Sequence, residues 1–301
     1  YGDRVSDLVR KMEKGDVLLL ENLRFHREEE LNDREFARKL ASLADFFVND
    51  AFGVSHRSHA SVIGIPPYLP SAAGLLLDHE IRMLSDVLSN PKRPLIALLG
   101  GAKVSDKLKI VEKLVGIADN MLIGGGMAAT FLKAAGFEVG RSLVEPEFLG
   151  FVQGLNTKDQ RRADFCSVHL PLDVVVQSNL NHSSNYRVVS VDKISPVEII
   201  LDIGPETISK YRLILEESGT VLWNGPMGMY ETPRFAHGTR KMAEVMARGT
   251  MTSIVGGGST ADAITRFGFE SEFDHVSTGG GASLEFLQSG TLPGICVIPD
   301  K

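Results

Sequence analysis

Cysteine is scarce in this chain, with two among 301 residues. Cys166 and Cys296 lie far apart and show no paired spacing. That excludes a disulfide framework and a zinc ribbon, and it fits a reducing, cytoplasmic setting. Long apolar runs are also missing. None approaches the roughly 20 residues that a bilayer span requires, so no membrane partner is expected. A basic excess is missing as well: 32 Lys and Arg stand against 38 Asp and Glu, for a net charge of −6. A nucleic-acid binder shows a basic balance or stripe, so nucleic acid is not expected as a partner. Tyr1-Gly2-Asp3-Arg4 holds neither a basic n-region nor an apolar h-region, and no secretory signal is read there. Tyr1 runs directly into a helix-like stretch, 3–14, and further residues are expected upstream in the natural chain.

What the chain has is apolar mass and glycine. Hydrophobic residues make up 43%, enough for a sizeable core, and there are 30 glycines, several in triplets. At roughly 100–200 residues per domain, two domains are expected. Strands are read at 17–20, 46–48, 95–99, 120–123, 199–203, 220–223, 252–255 and 275–277. Amphipathic helices are read between them at 34–44, 104–115, 206–217 and 235–247. Continuous apolar strands alternating with helices imply a parallel sheet covered on both faces. A long helix over 75–89, broken by Asn90-Pro91-Lys92-Arg93-Pro94, reads as a hinge between two α/β units. Residues 178–186 read as a polar surface loop.

Three strands run into glycine triplets: Gly124-Gly125-Gly126, Gly256-Gly257-Gly258 and Gly279-Gly280-Gly281. Each triplet precedes a helical pattern. Glycine lets the backbone approach a ligand, and a helix N-terminus offers free N–H groups and a positive dipole end. Together these bind phosphate. A single such loop serves close packing equally well. Three of them lie at strand carboxyl ends, where open α/β sheets bind ligands.

A fourth loop, Gly100-Gly101-Ala102-Lys103-Val104-Ser105-Asp106-Lys107, adds charge. Lys103 and Lys107 are four apart and would share a helix face. Lysines near a helix N-terminus oppose the dipole unless an anion sits between them; the plain alternative is a solvated basic face. Gly124-x-Gly126-x-x-Ala129 also fits a loose dinucleotide pattern, with Glu145 about 20 residues on as a ribose acid. This keeps a nicotinamide dehydrogenase open as an alternative. Nearer the start, Arg24 and Arg57 follow strand ends, placed to clamp carboxylate or phosphate. Their alternative is a salt bridge to Glu21 or Asp50. His56 and His59 lack a third ligand at metal spacing and read as parts of a hydrogen-bonded loop.

Taken in order, Val17-Leu18-Leu19-Leu20-Glu21-Asn22-Leu23-Arg24-Phe25-His26, residues 49–61, residues 100–108, residues 123–133, Asp202-Ile203-Gly204-Pro205, Trp223-Asn224-Gly225-Pro226-Met227-Gly228 and residues 276–285 resemble phosphoglycerate kinases. The resemblance runs over nearly the whole chain. It implies two Rossmann-like parallel-sheet domains joined by a hinge helix. Residues 1–76 would form part of a phosphoglycerate-binding domain. Residues 77–301 would form the nucleotide-binding domain, with the last residues packing back on the first. The implied substrates are 3-phosphoglycerate and ADP or ATP with Mg²⁺, and the implied protein is a monomer. Arg24 and Arg57 become substrate ligands. Lys107 becomes a ligand of the nucleotide phosphates, with Lys103 beside the transferred group. Gly101, Ala102 and Gly125 would line an adenine pocket, Asn224 would meet the phosphates, and Glu231 the ribose. Gly257, Gly258, Ser259 and Thr260 belong to the same nucleotide site. Gly279, Gly280 and Gly281 would face the phosphoryl group in flight.

Two departures carry expectations. The family's opening strands have no counterpart, which implies an incomplete first domain with an unpaired sheet edge and impaired kinase activity. The alternative is then a non-catalytic nucleotide-binding fragment. Ser259 stands where the family has an acidic Mg²⁺ ligand, and Asp262 is the nearby carboxylate that could compensate.

Overall fold

The computed structural model of the chain describes residues 2–157, 166–178 and 186–299. Its contacts divide it into two compact units: Tyr1–Arg82 with Ser289–Lys301, and Met83–Gln288. None of the described helices is long and apolar enough to cross a membrane.

The first unit contains α1 (Asp3–Arg10), α2 (Arg27–Glu30), α3 (Arg34–Ala41), β1 (Phe47–Asn49), β2 (Ser71–Ala73) and the start of α4 (Leu75–Ser89). Asp33 caps α3 by accepting the Phe36 N–H at 2.9 Å. The apolar stripe of α3, Phe36, Ala37, Leu40 and Ala41, packs on Ala60 and Ile65. Strands β1 and β2 pair in parallel. The strand expected at 17–20 is not formed. Its alternating residues Val17 and Leu19 are each 93% exposed. An apolar run becomes a strand only where a ladder partner lies beside it, and none of the described strands does.

The second unit is built on a parallel sheet. Its elements are β3 (Leu95–Leu99), α5 (Leu108–Val115), β4 (Asn120–Ile123), α6 (Ala128–Ala134), α7 (Leu149–Thr157), β5 (Ser167–His169), β6 (Asp173–Gln177), β7 (Tyr186–Ser190), β8 (Ile199–Ile203), α8 (Pro205–Glu216), β9 (Thr220–Asn224), α9 (His237–Arg248), β10 (Thr252–Gly256), α10 (Gly258–Phe267), β11 (His275–Val276) and α11 (Gly281–Ser289). A last short helix, α12 (Pro293–Cys296), belongs to the first unit. Six strands lie in the order β11-β10-β9-β3-β4-β5. Every pair is parallel. Strands β3 and β9 are buried along their whole length, as both-face coverage requires.

Ile199–Ile203 is a strand as expected, but it does not join this sheet. It pairs antiparallel with β6 in a separate sheet of order β7-β6-β8. The expected loop at 178–186 falls largely on positions outside the described residues. The expected helix over 104–115 starts late: a 3-10 turn, Ser105–Lys107, precedes α5.

The small antiparallel sheet organises the helices beside it. Neither α8 nor α9 has a capping side chain at its own N-cap. Asp173 at the start of β6, 3% exposed, reaches α8 instead. Its two oxygens accept from Glu206 N at 3.1 Å and Thr207 N at 2.8 Å. Asp173→Ala leaves the buried Thr207 N–H and the partly buried Glu206 N–H without this acceptor. The expected cost is about 2–3 kcal/mol, a cap plus an unsatisfied donor. A drop in urea midpoint at constant m-value is the check, and no change would mean that water replaces the carboxylate.

Candidate functional site

Three loops meet at the carboxyl ends of β3, β4 and β9. Gly100 N donates to Asn224 O at 3.0 Å, Gly101 N to Pro226 O at 2.8 Å, Gly125 N to Met227 O at 2.9 Å and Met127 N to Gly101 O at 2.9 Å. A Cβ on Gly125, at φ 63°, would lie 2.5 Å from Gly101 N and 2.7 Å from Pro226 O. The Gly124–126 triplet is therefore a packing device, with the Gly124 and Gly125 amides spent on the Leu99 and Met227 carbonyls. The other two triplets each hold an open position, although Gly257 still packs closely, with an added Cβ 2.9 Å from Asn224 Nδ2. A Cβ on Gly258 or Gly280 would meet nothing within 4 Å. Both stand in open space at the starts of α10 and α11, where the first-turn N–H groups lack intrahelical partners.

The packed loops form one side of a cavity of about 330 Å³. Gly101, Ala102, Gly125 and Gly126 line it as nearly bare backbone. Ile200, Leu201, Met229 and Tyr230 supply apolar and aromatic surface, and Glu231 and Ser259 supply polar atoms. Backbone on one side and flat apolar groups on the other suit a planar ring. Of the residues singled out in the sequence, Gly101, Ala102, Gly125, Glu231 and Ser259 come together here. Ile200, Leu201, Met229 and Tyr230 escaped notice, because apolar residues carry no chemical signature until their neighbours are known.

Lys107 reaches inward beside β9, and its Nζ donates to Asn224 Oδ1. Asn224 is fully buried and fixed from its other side, with Nδ2 donating to Gly256 O at 2.8 Å. Burial pushes the Lys107 ammonium down to about 8, against the opposing pull of Asp106. A desolvated lysine whose contact is a neutral amide is poised for an anionic ligand. Lys103 lies in the irregular segment before the 3-10 turn, so the two lysines do not share a helix face. Thr260, also fully buried, turns inward and accepts the Gly225 N–H at 2.7 Å, which holds the β9 loop.

Two expectations about carboxylates meet the geometry. Glu145 is not available to a ribose. It is 9% exposed and accepts from Val104 N at 2.6 Å and Ser105 N at 3.1 Å. Burial pushes its carboxyl up, and hydrogen bonds from Ser105 and Val104 outweigh that to hold it below the usual range. The dehydrogenase alternative loses its acid. Asp262 Oδ2 accepts from Tyr230 Oη at 2.7 Å and lies 2.8 Å from Arg266 Nε. Among the described residues, no three His, Cys, Asp or Glu side chains gather as a metal cage. The oxygens on offer there, the Ser259 hydroxyl of the cavity lining and the already engaged Asp262 carboxylate, are too few to hold a cation by themselves.

In the first unit, Asn22 Oδ1 accepts the Arg24 N–H at 3.0 Å and shapes the turn carrying that arginine. Arg57 N donates to Val54 O at 2.8 Å. Both side chains are exposed, and neither forms an ion pair among the described residues. The acids considered as their partners are engaged elsewhere: Glu21 with Asn22 N at 2.9 Å, and Asp50 with Leu77 N at 3.0 Å. His59 lies 3.8 Å from the buried Glu29, which also accepts from Ser61 N at 3.0 Å.

Residues 1–290 match the family model described as phosphoglycerate kinase. The phosphoglycerate kinase of Dictyoglomus turgidum is 49% identical, with all of this chain aligned to 76% of that protein. That of Moorella thermoacetica is 47% identical over the same shares. Among solved structures, phosphoglycerate kinase from Coxiella burnetii superposes with a TM-score of 0.89 at 40% identity, covering 97% of this chain and 75% of that one. The enzyme from Pyrococcus horikoshii OT3 gives 0.85 at 31% identity, over 99% and 76%. Such identity, sustained from one end of the chain to the other, means that the chain belongs to the phosphoglycerate kinase family and is a phosphotransferase of that family.

Proposed function

We propose that the second unit binds ADP or ATP in the 330 Å³ cavity and along the adjoining starts of α10 and α11. The adenine lies between the glycine backbone and the apolar groups of Leu201, Met229 and Tyr230. Glu231 accepts from the ribose hydroxyls. Lys107, with Asn224 behind it, takes the phosphates. Gly257, Gly258, Ser259, Gly280 and Gly281 offer N–H groups to phosphate oxygens, whereas the Gly279 N–H already donates to Ser277 Oγ at 3.2 Å and shapes the turn. Lys103, exposed on its loop, approaches the transferred group. In the first unit, Arg24 and Arg57 hold the phosphate and carboxylate of 3-phosphoglycerate, where free guanidinium groups suit bidentate contact. The reaction is reversible phosphoryl transfer between 1,3-bisphosphoglycerate and ADP. Phosphoryl transfer asks the protein for in-line positioning and for donors to the equatorial oxygens. Lysine, arginine and helix-start N–H groups are those donors. Mg²⁺, when bound with the nucleotide, neutralises phosphate charge. A reducing, cytoplasmic setting accords with a chain that has only two cysteines, far apart in sequence.

The observation that carries this reading is Lys107, desolvated next to the cavity with an amide for company. Calorimetric titration with ADP, with and without Mg²⁺, is the test. Binding that Mg²⁺ strengthens, and that Lys107→Met weakens at least about tenfold (the loss of a charge-assisted contact), is expected. A folded sample that ignores ADP overturns the assignment.

The lysine also sets a pH dependence. Phosphate favours the ammonium form, so binding above pH 8 takes up a proton, and affinity falls as pH rises further. Folding responds in the opposite sense. Between about 8 and the ordinary value of 10.5, the unfolded chain holds more protons than the folded one. Stability from this group therefore rises with pH across that window and is lowest below it. Titrations in buffers of different ionisation enthalpy read the proton uptake directly, and none at pH 8 to 9 would remove Lys107 from the phosphate site.

A further inference from the structure

Asp202 sits near the end of β8 and is 1% exposed. Its Oδ1 accepts the Ile203 N–H at 2.9 Å, and its Oδ2 accepts the Gly238 N–H at 2.8 Å. The His237 backbone N–H adds a further bond. Gly238 lies in the first turn of α9, a helix with no capping side chain at its own N-cap. Gly228 and Gly238 both press on the carboxyl, and a Cβ on either would overlap Oδ1.

This carboxyl lies directly behind the cavity. Gly228 and Leu201 both line it. The Leu201 carbonyl accepts the Met229 N–H at 2.8 Å, and Thr239 of the same first turn accepts the Met227 N–H at 3.0 Å. Strand β8, the start of α9 and the 226–231 loop therefore converge on Asp202. We propose that Asp202 is a positioning residue of the nucleotide site, that it holds the 226–231 loop in its binding shape, and that loss of its charge weakens nucleotide binding. The inference rests on the nucleotide reading of the cavity.

The physical basis is the match of donors to acceptor. Three backbone N–H groups aim at one carboxylate, at a helix N-terminus that favours negative charge. Protonation puts an O–H against one of those donors, and the loop loses a fixed point. Burial pushes the Asp202 carboxyl up to about 7, so the change falls near neutrality. No other ionisable group lies on β8. On β6, Asp173 is committed to α8. In the loop Glu231 is exposed, and in the first turn of α9 His237 is exposed while Arg240 stacks over Phe267 at 4.4 Å.

Stability and affinity respond to Asp202 in opposite senses, which separates a positioning role from a structural one. Between the ordinary value of 3.8 and about 7, the folded chain holds more protons than the unfolded one. Stability from this group therefore falls as pH rises through that window. Affinity should rise.

Adenosine is the probe, because it lacks phosphates that titrate or touch Lys107. Its affinity for the wild-type chain is expected to be about fivefold weaker near pH 5.5 than near pH 8, a modest population shift. The midpoint should coincide with that of the Gly238 amide resonance. Asp202→Asn mimics the neutral acid, so it should bind weakly at every pH, without slope and with unchanged circular dichroism. A flat wild-type profile, midpoints that differ, or an Asp202→Asn chain that binds like wild type overturns the inference. If Asp202→Asn does not fold, the two wild-type midpoints decide. Adenosine that fails to bind at any pH overturns the nucleotide reading instead.

Discussion

Gly225→Ala is expected to destabilise the second unit by about 3–5 kcal/mol and to abolish nucleotide binding. Gly225 follows β9 at φ 97°, where a side chain is strained even in open space. Its space is also taken. A Cβ there would overlap the Gly100 carbonyl and lie 2.8 Å from Gly101 N. Backbone cannot swing aside as a side chain can, so the β9 and β3 loops must part. That breaks the Gly101 N to Pro226 O bond and opens the glycine side of the cavity. Gly268→Ala is the control for strain alone, since it has φ 78° and nothing within 4 Å of an added Cβ. It should cost only about 1 kcal/mol. Gly258→Ala, with open space and no positive φ, should be close to neutral in stability. Urea unfolding followed by tryptophan emission reads this unit specifically, because Trp223 is the chain's single tryptophan. Equal losses at Gly225 and Gly268 would remove the steric part of the argument.

Trp223→Ala should be of similar size, about 3–5 kcal/mol, and for a different reason. Trp223 is fully buried on β9, level with Leu98 of β3 and Val255 of β10. It shares a core with Tyr211 and Leu215 of α8 and Met242 and Met246 of α9. Removing it leaves a cavity in the layer between sheet and helices. It also frees the Gly225 carbonyl, which accepts from Trp223 Nε1 at 2.8 Å. Trp223→Phe keeps most of the volume and loses the hydrogen bond, for about 1–2 kcal/mol. Circular dichroism is the readout, since the fluorophore is gone. The ratio of the two losses separates packing from hydrogen bonding. An alanine variant no weaker than the phenylalanine one would mean that the core collapses to fill the gap.

The cavity connects these two residues. One anchors the β9 loop from beneath, and the other lets it touch its neighbour. Nucleotide affinity should therefore respond to Trp223→Ala even though the indole lies outside the cavity lining.

Much of this was legible in the chain itself. Leu95–Leu99, Asn120–Ile123 and Ile199–Ile203 read as strands because burial demands continuous apolar residues over short lengths. The helix over Leu75–Ser89 read correctly between glycine and the Asn90-Pro91 break. Strand β6, Asp173–Gln177, holds the continuous apolar run Val174-Val175-Val176 and is absent from the strands read in the sequence. Residues 17–20 show the limit. Their pattern matches that of β3, but strand formation depends on a neighbour that no local pattern encodes.

The glycine triplets make the same point chemically. Three near-identical stretches serve two purposes: Gly124–126 packs backbone on backbone, while Gly258 and Gly280 stand open. Lys107 was singled out for its position after a glycine loop, and Asn224 for its motif. That they touch, and that burial lowers the lysine, follows from β3 and β9 lying side by side. Composition, period and glycine placement determined the α/β class, the main strands and the phosphate-handling character, because backbone conformation and burial act over a few residues. The antiparallel pairing of β8, the carboxylates of Asp173 and Asp202 at distant helix starts, and the apolar side of the cavity were decided by tertiary structure alone. Each depends on groups dozens of residues apart, and only the packed chain brings them within a hydrogen bond or a van der Waals contact.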